Sequence, residues 1–165
     1  MSRRIPVTSG RTRPVNLGVA LREAFIAVND LVLSRLAERG HSAIRPAHSA
    51  VFQYLDDTGT TVSLLAERAQ MTKQAMAELV VYLEAHGYVT RTPDPGDRRA
   101  KLVVPTGTGR EVIAIAQGLA PELETLVTGR LSADRLQALR EDLETIRRSA
   151  TEELHRRRAP VSGAS

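Results

Sequence analysis

From residue 15 to residue 37 apolar side chains recur at helical spacing. Leu17, Leu21, Ala24, Phe25, Val28, Leu31, Val32 and Leu36 form one broad stripe, with Arg22, Asn29 and Arg35 off it. Gly40 ends the run. The stripe is wider than a short neighbour would cover, so the pattern predicts a long helix that interdigitates with other long helices. A shorter helix is expected over 47–56, with Val51, Phe52 and Leu55 inward. A turn over 57–60 follows, because Asp and Gly tolerate a tight reversal, and then a very short β-branched strand at Thr61 and Val62. Ser63 and Thr72 are read as N-caps of two successive helices, 64–69 and 73–86, interrupted at Gln70 and Met71 and stopped at Gly87.

Past Gly87 the period changes. Residues 88–91 and 100–104 favour strands, and the turn-rich charged run 92–99 between them makes a β-hairpin with a long tip. Residues 105–109 break the pattern. Helical spacing resumes over 110–126 through Val112, Ile113, Ala116, Leu119, Leu123 and Leu126, with Pro121 as a kink or a break. A last helix is expected to start around residues 131–134 and to carry Leu136, Leu139, Leu143, Ile146 and Leu154 on one stripe. The fold class is therefore mainly α with a small β-hairpin wing: a winged helix-turn-helix embedded in a helical dimerization region. Its expected parts are a flexible basic arm over 1–14, a single domain over 15–155 and a flexible tail over 156–165. Within the domain, 47–104 forms the winged lobe, and 15–39 plus 106–155 form the dimerization region. The two wide stripes put Leu17, Leu21, Leu136, Leu139 and Leu143 at the interface of a homodimer.

Composition narrows the chemistry. Aromatics are only 3% of the chain and Trp is absent, so the core must be aliphatic. There is no cysteine, which excludes a disulfide framework, a thiolate nucleophile, a zinc finger and a thiol redox sensor. No apolar run approaches the roughly 20 residues of a membrane span. The start of the chain lacks the unbroken apolar stretch of a signal peptide, so the expected location is the cytoplasm, on the nucleoid. Net charge is +4 and the isoelectric point is about 10.1. Arg3, Arg4, Arg11 and Arg13 make the first segment basic, and Arg156, Arg157 and Arg158 form a second basic patch. Such segments can follow a phosphate backbone, or equally be solvated tails.

The order helix, short helix, turn, helix, hairpin has a specific use. The second helix of the turn motif fits a major groove, and the hairpin reaches an adjacent backbone or minor groove. In the helix after Thr72, Met76, Leu79, Val80 and Leu83 should face the core, leaving Gln74, Ala77, Glu78 and Val81 opposite. Gln74 can present its amide to adenine, and Lys73 can reach phosphate or guanine. Thr72 can offer its hydroxyl to a phosphate beside the helix N-terminus, and Ala77 keeps the surface low. In the hairpin tip, Asp97 can hold a guanidinium and fix its aim, leaving one of Arg98 and Arg99 free for a minor groove, with Lys101 close by. A solvated helix chosen for propensity and an ordinary charged hairpin tip are the competing readings, and the residues alone leave them open. No catalytic constellation is seen. His41, His48, His86 and His155 lack metal-ligand spacing, and the glycines of 107–110 lack the spacing and Lys-Ser or Lys-Thr ending of a phosphate loop. No metal, cofactor or enzymatic activity is expected.

The run LLAERAQMTKQAMAELVVYLEAHGYVTR at 64–91, followed by DRRAK at 97–101 and TGTGR at 106–110, resembles the multiple-antibiotic-resistance regulator (MarR) family of winged-helix transcription factors. Helix, Leu-Glu-x-x-Gly-x-Val turn, Asp-Arg-Arg wing and Thr-x-x-Gly connector occur in family order and spacing. The likeness extends over about residues 15–154. It implies a homodimer on double-stranded DNA, with two recognition helices in successive major grooves of a pseudo-palindrome. Thr72, Lys73, Gln74 and Ala77 would stand at recognition positions, Arg99 at the groove-inserting position and Asp97 as its support. It also implies a repressor that releases DNA on binding a small aromatic or lipophilic effector, for which Phe25, Phe52 and Tyr54 are the candidate lining. A winged-helix protein-interaction or architectural module without small-molecule regulation is the alternative. Two features depart from the family pattern: Pro105 stands where Leu is common before the Thr, and the arginine-rich arm is long.

Overall fold

The computed structural model describes residues 16–97 and 99–158. The arm expected over 1–14, Arg98 and the tail from 159 onward lie outside the described residues. The chain falls into two compact units, one ending at Gln117 and the other beginning at Gly118.

In the first unit, Asn16 opens α1 (Leu17–Glu38) by accepting a hydrogen bond from the Val19 amide at 3.0 Å, which satisfies one of the helix's unpaired first-turn donors. The helix closes at Gly40, whose φ of +91° lets the His41 amide turn back onto the Leu36 carbonyl at 2.8 Å. A 3-10 turn, Pro46–His48, leads into α2 (Ser49–Tyr54), so the expected helix over 47–56 is a turn and a shorter helix. The strand β1 is Thr60–Thr61 and the helix α3 is Val62–Arg68, each beginning earlier than the sequence pattern suggests. The cap of α3 is Thr61 and not Ser63: the Thr61 hydroxyl accepts from the Leu64 amide at 3.3 Å. The reason lies beyond local sequence. Thr60 is buried and bonded to Asp56, and β1 pairs with a distant strand, which together fix where the chain can turn helical.

The next elements are α4 (Lys73–Ala85), β2 (Val89–Pro93), β3 (Lys101–Pro105) and α5 (Gly107–Thr128). The hairpin gains a third strand, giving an antiparallel sheet in the order β1-β3-β2. Pro105 closes it opposite Val89 and is fully buried, so the departure from the family pattern is absorbed as the last residue of β3. The core is aliphatic, as composition requires. Val51, Leu65, Met76, Val80, Leu83 and Val103 expose none of their surface, and Leu36, Ile44, Tyr88 and Val112 close around them.

Two joints hold the lobe's helices in place. Asp56 accepts from Arg68 at 2.9 Å and from the Thr60 hydroxyl at 3.1 Å, while the same guanidinium nitrogen donates to the Tyr54 carbonyl, so one cluster ties α2, β1 and α3. These bonds hold the Asp56 carboxyl below the usual carboxylate range. At the other joint the Thr106 hydroxyl donates to the Gly87 carbonyl at 2.6 Å and accepts from the Gly109 amide at 3.1 Å. Gly109 is required there, because a Cβ at that position would stand 2.0 Å from the Tyr88 carbonyl oxygen. The Thr-x-x-Gly connector thus seats the first turn of α5 on the chain leaving α4.

Pro121 lies inside α5 without breaking it, withholding only the amide that would have bonded the Gln117 carbonyl. In the second unit, Ser132 accepts from the Arg135 amide at 3.4 Å and opens α6 (Ala133–Arg158). The helix runs through Arg158, so the first three residues expected in the tail are helical. Glu153 pairs with both Arg156 and Arg157, so two arginines of the expected C-terminal basic patch already share a carboxylate on their own helix.

Candidate nucleic-acid interface

Between α3 and α4 the chain turns through Gln70 at φ +52°, with the Met71 amide returning to the Ala66 carbonyl at 2.9 Å. Thr72 then caps α4 by accepting from the Ala75 amide at 3.2 Å. One face of α4 is core: Met76, Val80 and Leu83 are fully buried and Leu79 is half-buried. The opposite face exposes Lys73, Gln74, Glu78 and Val81, with Ala77 half-buried between them. The Gln74 amide nitrogen lies 3.4 Å from a Glu78 carboxylate oxygen.

The C-terminal half of α4 is fixed by contacts that sequence reasoning missed. The Tyr82 hydroxyl donates to the Ala43 carbonyl at 3.0 Å. Its ring stacks with those of His48 and His86, at centroid distances of 4.5 and 4.0 Å, and the Arg45 guanidinium lies 5.1 Å from its centre. The backbone amide of Arg45 donates to His48 Nδ1 at 3.0 Å, which fixes the neutral ring. Burial, then the charges of Arg45 and His86, pushes the His48 pKa below the ordinary imidazole value. Beyond the helix, Arg91 on β2 faces Glu84 at 3.5 Å and ties the base of the wing to α4.

At the wing tip the Asp94 amide donates to the Ala100 carbonyl at 3.1 Å, closing the loop above the pair Pro93 and Lys101. Asp94 accepts from the Gly96 amide at 2.8 Å, and Asp97 from the Arg99 amide at 2.9 Å. Asp97 therefore holds Arg99 through its backbone amide, while Arg98, the other candidate for a guanidinium pair, is not among the described residues. Among the described residues no carboxylate makes an ion pair with Arg99, and its side chain is exposed, as is that of Lys101. Arg98 lies outside the described residues.

The other expected sites are spread. Phe52 and Tyr54, both on α2, pack at the margin of the core, and Phe52 meets Tyr88 edge-on at 6.4 Å. Phe25 is 59% exposed on α1 and makes no ring contact with either of them. Of the expected interface residues, Leu17, Leu139 and Leu143 are exposed, and Leu21 and Leu136 are half-buried. No described helix is long and apolar enough to cross a membrane.

The sequence profile of the MarR family matches residues 44–100, which take in the helix-turn-helix and most of the wing. The transcriptional regulator HosA of Escherichia coli is 30% identical over 120 residues, covering 70% of this chain and 89% of the relative. This chain belongs to the MarR family. Among solved structures, that of the transcriptional repressor CouR bound to a 23-mer DNA duplex matches with a TM-score of 0.63 at 29% identity, over 79% of this chain and 92% of CouR. CouR from Rhodococcus jostii RHA1 bound to p-coumaroyl-CoA matches with a TM-score of 0.62 at 24% identity, over 80% of this chain and 92% of its own, a likeness of fold. The MarR chain is thus a DNA-binding transcriptional regulator and not an enzyme.

Proposed function

We propose that this MarR-family regulator is a ligand-responsive repressor that binds a pseudo-palindromic operator as a homodimer, in the cytoplasm on the nucleoid. The observation that carries the reading is the pairing of a packed α4, with Lys73, Gln74 and Ala77 on its open face, and a wing whose Arg99 guanidinium is unpaired among the described residues. Residues 47–104 act as the reading lobe, and residues 15–39 with 106–155 as the dimerization region. In that arrangement Gln74 reads a major-groove edge, Thr72 and Lys73 hold phosphates, and Lys101 and Arg99 follow the backbone into the minor groove. Exposed Leu17, Leu139 and Leu143 support the dimer, since a helical stripe left in water gains by covering itself with a second copy. Phe25, Phe52 and Tyr54 supply apolar surface for a small aromatic or lipophilic effector; CouR's ligand, p-coumaroyl-CoA, is aromatic at its p-coumaroyl end. Such an effector releases DNA only by preferring the arrangement that does not bind it.

Genome-wide occupancy of the untagged protein supplies an operator for the test. Fluorescence anisotropy on that duplex across a salt series should then show Arg99→Ala binding more weakly while remaining folded and dimeric. Lys73→Ala should weaken binding to every sequence and lower the salt slope by about one unit. A dimeric Arg99→Ala protein that binds its operator as tightly as the parent would refute the wing's role.

A further inference from the structure

Gln74, Ala77, Glu78 and Val81 recur at i, i+3, i+4 and i+7, so they form one stripe along α4. Its chemistry in order is amide, methyl, carboxylate and isopropyl. A carboxylate on a surface that meets a polyanion works against affinity, because each neutralised phosphate is a gain and each added anion a loss. Neither ordinary account of such a residue applies. Glu78 makes no ion pair with a cation among the described residues, and it sits away from the first turn, where the helix dipole would favour an anion. Its one polar partner there is the Gln74 amide, at 3.4 Å.

We infer that Glu78 is a specificity-determining residue, which orients the Gln74 amide and bars guanine from the base edge it faces. The inference rests on α4 entering the major groove, as proposed above. Donation of one Gln74 N–H to Glu78 leaves the second N–H and the amide oxygen, the donor and acceptor that match adenine N7 and N6. The ionised Glu78 can only accept. It therefore suits an amino edge, cytosine N4 or adenine N6, and opposes guanine, whose N7 and O6 are both acceptors. Ala77 and Val81 offer carbon alone, which fits a thymine methyl. Positive charge on this surface is confined to Lys73, at the start of the helix. The half-site selected by the stripe therefore presents amino groups and methyls and excludes guanine opposite Glu78.

Selection from duplexes randomised across one half-site tests this, using the full-length parent, Glu78→Gln, Gln74→Ala and Lys73→Ala, each first shown to be folded and of parental mass in solution. The Gln side chain keeps the shape, removes the charge and can donate to guanine. The parent should disfavour guanine at one position by roughly tenfold or more, the worth of one good base contact. Glu78→Gln should erase most of that discrimination while tightening binding to all duplexes, and Gln74→Ala should relax an adenine preference nearby. If Glu78→Gln keeps the parent's preference at every position, whether or not all duplexes bind more tightly, Glu78 is only a solvated acid and the inference fails. Lys73→Ala separates that failure from a larger one. Uniform weakening by Lys73→Ala leaves α4 in the groove and the fault with Glu78 alone. If neither Lys73→Ala nor Gln74→Ala changes binding, the recognition-helix reading falls and takes this inference with it.

Discussion

The winged lobe and the long helices use apolar residues in opposite ways. In the lobe, Leu65, Met76, Val80, Leu83 and Val103 are covered completely by the same chain. In α1 one side chain of a 22-residue helix is buried, Leu36, and in α6 no described side chain is buried at all. The polar face of α6 is laced with short-range ion pairs such as Arg147 with Glu144, which add little because both partners are exposed to solvent. The lobe's core is thus closed within one chain, with Leu36 of α1 and Val112 of α5 sealing it. The long helices leave an apolar stripe in water, and if a second chain covers it, as proposed, their contribution should depend on concentration where the lobe's does not.

Breaking the seam should have the largest effect. Leu139→Glu, which puts a charge on an exposed stripe residue, should give monomers by analytical ultracentrifugation at micromolar protein. With the two heads no longer linked, binding to a full operator should fall by roughly 10²–10⁴-fold. A dimeric Leu139→Glu protein would mean that the seam lies elsewhere. The lobe responds to a different kind of change: Leu83→Ala should cost about 2–5 kcal/mol in urea unfolding, because a fully buried side chain leaves a cavity. The same loss is expected in the Leu139→Glu background if the two sites are independent, since independent sites add. A loss that differs by more than about 0.5 kcal/mol between the two backgrounds would show the two regions to be coupled.

The smallest expected effect is a pH dependence confined to the lobe. The folded-state pKa of His48 is lowered, so the folded protein favours the neutral ring. Above the ordinary value of 6.5 both states are neutral and the contribution is fully present. As pH falls below that value the unfolded chain takes up a proton that the folded lobe resists, and stability declines until the folded ring also protonates. Thermal melts between pH 8 and pH 5 should therefore show a steeper loss in the parent than in His48→Gln. Equal slopes would remove His48 as the source.

What the sequence made legible was what local chemistry decides. Thr72 and Gly87 bound α4 as expected because a cap and a left-handed stop act within one turn. The start of α3 was misplaced because Thr60 is held by pairing with Val103 on β3, a partner that no local window contains. At the wing tip Asp97 makes a bond to the Arg99 amide that the sequence reading did not assign. An Asp side chain reaches the amide two residues on with less loss of freedom than a long guanidinium requires, and that is the bond it makes. The rings around Tyr82 were invisible in the sequence, since Arg45 and His48 come from another element. Gly109 was read only as part of a motif. Its necessity emerges once the Tyr88 carbonyl is seen against it.

The contacts of Tyr82 also have a spectroscopic consequence. The chain has three tyrosines and no tryptophan, so its intrinsic fluorescence on excitation beyond the phenylalanine band is tyrosine emission alone. Tyr82 lies on α4 with two imidazoles and a guanidinium against its ring, and Tyr88 lies just past the helix end. Two of the three chromophores therefore report from the C-terminal end of α4, the helix proposed to read DNA, and the third, Tyr54, sits elsewhere in the same lobe. Tyrosine emission, and near-ultraviolet circular dichroism above the phenylalanine band, thus act as a built-in label for the lobe, with no tyrosine on α1 or α6. Motions of that lobe under acid, salt or an added small molecule can be followed without attaching a dye to the surface proposed to touch DNA.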